Sequence, residues 1–297
     1  MKSNQLWING ELKNEAETSV SLLSHSLHYG SGVFEGIRFY ETDNGPAIFK
    51  ANEHIERLVY SAKTFGMDVP HSKEELISAM CAVVKANKLS SGYIRPLIFY
   101  GDGNLGVDPT GAKLIVMIAA WEWGSYFGKE GLSIKTSEII RIHPKSTDVN
   151  AKISGVYQNS IQAGMQVKAQ GYDDALLLDY EGNIAEGPSA NFFVVKDGII
   201  YTPATGSILP GITRATVISL AQEAGYEVVE EKITLDEVYG ADEAFFCGTA
   251  AEVTPILSLD DHDFVSKERP VTSKLKELYS AAVHGKSAHS DWVFLIE

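Results

Sequence analysis

Apolar and polar positions along the chain switch repeatedly between a period of two and a period near 3.6, so strands and helices are interleaved. Leu6-Trp7-Ile8-Asn9-Gly10-Glu11-Leu12 predicts a hairpin with Asn9-Gly10 as a type I′ turn. Residues 33–40 and 47–50 predict strands around the turn Asp43-Asn44-Gly45-Pro46. Asn52 is placed to cap a helix whose apolar face is Ile55, Leu58, Val59, Ala62 and Phe65. Ser72-Lys73-Glu74-Glu75 predicts a capping box for a second helix, with Leu76, Met80, Val83 and Val84 inside. Strands follow at 93–100 and 113–120. Residues 121–131 hold three glycines and four aromatics and fit neither period, which marks a linker. Beyond it come short strands at 132–136, 175–178, 191–195, 199–201, 227–232 and 244–247. Helices are expected after Lys152, over 213–224 with Gly225 as its stop, and over 271–283. The pattern predicts an α+β chain of two domains: a small α+β domain over 1–120, a linker over 121–131, and a larger, barrel-like domain over 132–297.

Composition narrows the class. The 297 residues are 44% hydrophobic, with a formal net charge of −14. That suits a globular chain and sets it against phosphate backbones, so nucleic acid is not an expected partner. The longest apolar run, 114–121, is far shorter than the roughly 20 residues a spanning helix needs, and the N-terminus lacks the apolar core of a signal peptide. Two cysteines in no CxxC pair fit a reducing cytoplasm.

Three features carry chemistry. Pro210-Gly211-Ile212-Thr213 opens a helix, where unpaired amides and the dipole favour an anion; an ordinary Thr-capped helix would look the same. Gly248-Thr249-Ala250 offers a similar run after a strand, with an ordinary turn as the alternative. Neither matches a Walker loop or a dinucleotide fingerprint. Lys152 stands among Ala151, Ile153 and Gly155, the small or apolar surroundings that leave an amine neutral often enough to form a Schiff base. Glu186 lies 34 residues further on, before Gly187-Pro188, and a carboxylate there can hold the ring proton of a pyridine cofactor; a plain loop glutamate is the alternative. His25 and His28 are three apart, but no cysteine or carboxylate completes a zinc set, so no metal is expected.

Ala185-Glu186-Gly187, Asn191-Phe192-Phe193, Leu209-Pro210-Gly211-Ile212-Thr213-Arg214 and Gly248-Thr249-Ala250-Ala251-Glu252 together resemble the class IV (fold type IV) aminotransferases, which use pyridoxal 5′-phosphate. His25-Ser26-Leu27-His28-Tyr29-Gly30, Val33-Phe34-Glu35-Gly36-Ile37-Arg38 and Tyr93-Ile94-Arg95-Pro96-Leu97 resemble the branched-chain amino acid aminotransferases among them. The likeness runs from about Leu6 through the terminal helix.

The resemblance implies a role for each matching position. Lys152 joins the cofactor aldehyde and then moves the substrate proton. Glu186 pairs with the ring nitrogen, Tyr157 with the phenolic oxygen, and Leu209 packs on the ring. Arg57 clamps the phosphate with Ile212, Thr213 and Thr249. Tyr93, with the backbone of Thr249 and Ala250, takes the substrate α-carboxylate. Phe34, Tyr29, Trp123, Tyr126 and Tyr157 are expected to wall an aliphatic side chain, with Arg95 at its edge for a γ-carboxylate. The implied reaction moves the amino group of leucine, isoleucine or valine to 2-oxoglutarate in ping-pong order. Two subunits share each site in the family, which implies a homodimer or a multiple of it, with Tyr29 and Val107 reaching the neighbour's site. Ser189-Ala190-Asn191 stands where many relatives have Gly-Glu-Asn, which bears on substrate scope. A D-amino acid aminotransferase or an aminodeoxychorismate lyase of the same fold is the alternative. A catalytically silent relative that binds a phosphate or scaffolds a partner is disfavoured by intact Lys152, Glu186 and Arg57.

Overall fold

Two compact units make up the protein: 1–124 with 151–156 and 282–297, and 125–150 with 157–281. The structure, a computed structural model, describes residues 3–124 and 127–296. The sequence reading divided the chain by a single linker at 121–131. Here the segment around Lys152 and the C-terminal residues group with the first unit instead, because both are tied to it by backbone hydrogen bonds. Phe34 N–H donates to Lys152 O at 3.1 Å, Val33 and Ile153 form an antiparallel bridge, and Val293–Leu295 pairs with Gly45–Phe49. Three residues of strand at the end of the chain are too short for period-two alternation to register.

The first unit is an antiparallel sheet centred on Gly92–Tyr100, which pairs with Leu114–Trp121 on one side and with Gly32–Phe34 and Ile37–Thr42 on the other. The hairpin Gln5–Ile8 and Glu11–Asn14 joins the far edge through a turn in which Asn9 and Gly10 both have positive φ. The helices Ala51–Thr64 and Lys73–Ala86 contribute Ile55, Leu58, Ala62, Leu76, Met80 and Val83 to a core with Ile37, Ile94, Ile98 and Ile118. Ser72 and Glu75 form the expected capping box. The cap of the first helix is Lys50, with φ 55°, rather than Asn52, and its side chain makes no cap bond. Its backbone N–H donates to Trp292 O at 2.8 Å instead, so a distant part of the chain sets the helix start.

A single strand over 33–40 was expected. It is broken into Gly32–Phe34 and Ile37–Thr42. The register against Gly92–Tyr100 is the same on both sides of the break, with Phe34 opposite Leu97 and Ile37 opposite Ile94. Glu35 therefore faces Pro96 and donates to its carbonyl at 3.0 Å. Proline has no N–H to return, so the ladder lapses at Glu35-Gly36.

The second unit is a nine-stranded mixed sheet. Ile184–Glu186, Asp174–Leu178, Leu132–Thr136, Glu252–Leu259, Glu243–Gly248 and Asn191–Lys196 pair in that order, and Asn191 pairs back with Glu186. Six strands thus close on themselves, the barrel-like form the strand pattern suggested. Inside are Leu132, Ile134, Leu176, Ile184, Phe192, Val194, Phe246 and Ile256, all fully or nearly fully buried. Ile199–Pro203 and Val228–Glu231 extend the sheet as a parallel pair. The helices Tyr157–Lys168, Ile212–Glu223 and Pro270–Val283 lie where periodicity placed them within a residue or two, the first after a short 3₁₀ turn. No helix among the described residues is long and apolar enough to cross a membrane.

Candidate active site

In the first unit one tripeptide gathers the expected residues. Phe34 and Gly36 face one side of the sheet, and Glu35 faces the other. On the first side Lys152 Nζ lies 4.9 Å from the Phe34 ring centroid, and the Arg95 guanidinium lies 4.8 Å from it. Arg95 Nη2 donates to the Tyr93 hydroxyl at 3.3 Å. Tyr93 stacks on Trp123 at 4.9 Å and tilts against Trp121 at 5.4 Å. Gly36 is required for space: a Cβ there would come within 1.9 Å of the Tyr93 hydroxyl oxygen. Arg95 Nε is buried and has no hydrogen-bond partner among the described residues. A desolvated guanidinium edge of this kind is a receptor for an anion.

Lys152 is held by its backbone from two directions. Its N–H donates to the Ser61 hydroxyl at 2.9 Å, and its carbonyl accepts from Phe34 N–H. Ser61 in turn donates to Arg57 O on the same helix at 2.8 Å. Gly30 and Gly155 meet face to face next to it; a Cβ on Gly30 would lie 2.7 Å from Gly155 Cα.

Glu35, fully buried, points at the first helix. Its carboxylate accepts from Arg57 Nε at 2.6 Å and Nη2 at 3.0 Å, and from His54 Nδ1 at 2.7 Å. Burial alone would raise this carboxyl, but the Arg57 charge and the donated hydrogen bonds outweigh it and hold it well below the usual carboxylate range. Burial pushes His54 below the usual imidazole range, the Arg57 and Lys152 charges adding to that push against the pull of Glu35. His54 is thus a neutral Nδ1–H donor beside an ion pair.

In the second unit Glu186 ends a strand, 6% exposed. Its carboxylate accepts from Arg141 Nε at 2.6 Å, from Asn191 Nδ2 at 3.0 Å and from the Leu209 amide at 3.2 Å. The Asn191 amide also donates to Leu209 O at 2.9 Å. Gly211 leaves room for that side chain, since a Cβ there would lie 2.0 Å from Asn191 Oδ1. Ile212 and Thr213 form the first turn of Ile212–Glu223, and Thr213 is buried. Arg214 is tied within the unit: its Nη2 donates to Pro203 O at 2.9 Å and to Glu230 at 2.6 Å. Thr249 and Ala250 lie in the turn between Glu243–Gly248 and Glu252–Leu259, so their run is a hairpin turn and not a second helix start. Tyr157 is the first residue of its helix and half-buried.

Lys152, Arg57, Phe34, Tyr93, Arg95 and Trp123 therefore come together in one unit, and Glu186, Leu209, Ile212 and Thr213 share the other with Tyr157, Thr249 and Ala250. Tyr29, the last residue of the short helix His25–Tyr29, is 46% exposed, and Val107, in the loop before Leu114–Trp121, is 80% exposed. Tyr126 lies outside the described residues. His25 and His28 spend ring nitrogens on Ser31, Gly106 O and Leu22 O. Among the described residues no group of three or more His, Cys, Asp or Glu is placed to hold a metal. Sequence reasoning gave no role to Glu35, His54, Ser61, Arg141 or Asn191, although Glu35 and Asn191 stand within the motifs that carry the resemblance.

The family model for class IV amino-transferases matches residues 32–259. A branched-chain-amino-acid aminotransferase of Pseudomonas aeruginosa is 46% identical over 98% of this chain and 97% of its own. The chain belongs to the class IV aminotransferases. Solved members of the family superpose closely. The branched-chain aminotransferase of Thermoproteus uzoniensis, determined with norvaline, matches over the whole of both chains with TM-score 0.95 and 41% identity. That of Thermobaculum terrenum in its PLP form matches over 99% of both, with TM-score 0.93 and 32% identity. The aminotransferase cofactor is pyridoxal 5′-phosphate, and each unit carries groups of a kind that suits it: a half-buried amine and an arginine in the first, a helix start and a buried carboxylate paired with Arg141 in the second.

Proposed function

We propose that this aminotransferase moves the amino group of leucine, isoleucine or valine to 2-oxoglutarate. The observation that supports this most is the Phe34–Arg95 contact beside Tyr93: an aromatic wall with one cation at its edge suits an aliphatic side chain and, in the other half-reaction, a γ-carboxylate. When bound, pyridoxal 5′-phosphate supplies an electron sink for the pair of electrons left at the substrate α-carbon. The protein does the rest. Lys152, its backbone fixed by Ser61 and Phe34, presents an amine that takes the proton from the α-carbon. Glu186, held by Arg141, Asn191 and Leu209, keeps the proton on the ring nitrogen. Arg57 and the amides and hydroxyls at Ile212, Thr213 and Thr249 hold the phosphate, and Tyr157 donates to the phenolic oxygen. Tyr93 and the backbone at Thr249 and Ala250 orient the α-carboxylate. Leu209 covers the ring, while Phe34, Tyr29, Trp123 and Tyr126 exclude water around the side chain.

The same reading makes the protein a homodimer or a multiple of one, with Tyr29 and Val107 completing the neighbour's site. It is supported by exposed apolar side chains: Leu22, Leu23, Leu27 and Val107 are 58–82% exposed, and Tyr29 Oη ties their two segments together at Leu105 O. It also puts the protein in a reducing cytoplasm, in keeping with unbridged Cys81 and Cys247. A panel of amino donors with 2-oxoglutarate tests the function. The three branched L-amino acids should react within roughly 10–200-fold of one another, the spread that a methylene or so in an apolar pocket gives. Equal or better rates with D-alanine, or release of pyruvate from aminodeoxychorismate, would replace this reading with its rival. Light scattering tests the assembly, and a monomer at working concentration contradicts it.

A further inference from the structure

Resting on the proposed function, we infer that Glu35 is a positioning residue for cofactor binding: its carboxylate sets the heading of the Arg57 guanidinium, and His54 holds that carboxylate in place. The geometry is specific. Arg57 meets Glu35 through both Nε and Nη2, a two-point contact that fixes the plane of the guanidinium and leaves no rotation about its terminal bonds. Glu35 itself cannot turn. It sits where the ladder lapses opposite Pro96, with its N–H on Pro96 O, the Gly36 amide 3.3 Å from Oε2, and His54 Nδ1 on the same oxygen. His54 and Arg57 are three apart on one helix, and Ser61 follows on the same face to hold the Lys152 amide. One short segment, Phe34-Glu35-Gly36, thus sets the arginine through its carboxylate and the lysine through its backbone.

The carboxylate costs charge, since it cancels Arg57 where an anion is to bind. A residue kept there despite that cost acts through orientation, and the two effects differ in sign. If Glu35 only neutralised Arg57, its removal would tighten phosphate binding. If it aims Arg57, removal weakens it.

The test uses the full-length protein stripped of cofactor and titrated by fluorescence with pyridoxal 5′-phosphate and with pyridoxal, which lacks the phosphate. The dissociation constant of pyridoxal divided by that of pyridoxal 5′-phosphate isolates the phosphate contribution. For Glu35→Gln the ratio should fall about 10- to 100-fold, the worth of one misaimed charge-assisted hydrogen-bond pair, with pyridoxal affinity unchanged. Arg57→Met should lower the ratio by at least as much, leaving what Ile212, Thr213 and Thr249 contribute, and in that background Glu35→Gln should change nothing further. The double variant removes both buried charges together, and circular dichroism of all three variants checks that each loss is read on folded protein. A Glu35→Gln ratio equal to or larger than that of the wild type, or an equal loss with and without Arg57, overturns the inference. A wild type with no preference for the phosphorylated form overturns the Arg57 assignment, and one that binds neither compound overturns the proposed function itself.

Discussion

Replacing Gly36 with alanine probes the substrate end of the site through one atom. The backbone there needs no unusual φ, so the effect is steric alone. The new Cβ would lie 1.9 Å from the Tyr93 hydroxyl oxygen and 2.8 Å from its Cζ. To regain ordinary contact the hydroxyl must retreat by about 1.5 Å. The ring has nowhere to go: Tyr93 is 6% exposed, stacked on Trp123 and flanked by Trp121 and Arg95. Overpacking of this kind costs about 1–3 kcal/mol in stability. A shift that size also breaks the hydrogen bond proposed from Tyr93 to the substrate α-carboxylate, worth about 1.5–3 kcal/mol, or roughly 10- to 100-fold in kcat/KM. Steady-state kinetics with leucine and a thermal melt read the two effects. Tyr93→Phe should show the kinetic loss without the stability loss. In Gly36→Ala/Tyr93→Phe the melt should recover in part while kcat/KM stays low. A folded Gly36→Ala enzyme with wild-type kcat/KM for leucine would refute the reasoning.

Arg95→Ala should lower kcat/KM for glutamate by about 100-fold and for leucine much less, because only the γ-carboxylate needs the cation; equal losses contradict the edge assignment. Asn191→Ala removes two hydrogen bonds that hold Glu186 and Leu209, and kcat should fall about 10-fold with the fold intact by circular dichroism. Burial raises the Asp174 carboxyl to about 6. Its folded value lies above its unfolded one, so its contribution to stability is present in full below pH 4 and is lost as pH rises through 6. Urea unfolding of Asp174→Asn, which keeps the acceptor for the Ala175 amide, should therefore gain on wild type by on the order of 2–3 kcal/mol more at pH 8 than at pH 4. A pH-independent difference would show that Asp174 ionises normally. Trp292→Ala removes the ring 4.3 Å from Lys50 Nζ and should lower the melting temperature by a few degrees.

The fold was legible where periodicity is long. The helices carrying Ile55 to Ala62 and Leu76 to Val84 show their inner faces in the sequence, and four of the six barrel strands were placed, but Ile184–Glu186 and Glu252–Leu259 were not. What escaped depends on partners far away in the chain. The start of the first helix at Lys50 is set by Trp292, and the break after Phe34 by a proline in another strand. The site divides the same way. Lys152 and Glu186 stand in recognisable local settings. The groups that fix them do not: Arg141 reaches Glu186 across 45 residues and Ser61 reaches Lys152 across 91. The space that Gly211 leaves is taken by Asn191, a contact that no local pattern shows.

Borohydride reduction of the protein with bound cofactor, followed by digestion and mass spectrometry, tests the account most directly. A single peptide bearing the reduced cofactor on Lys152, absent from Lys152→Ala, is the predicted result. Attachment at any other lysine, or no attachment in a protein that still transaminates, would contradict it.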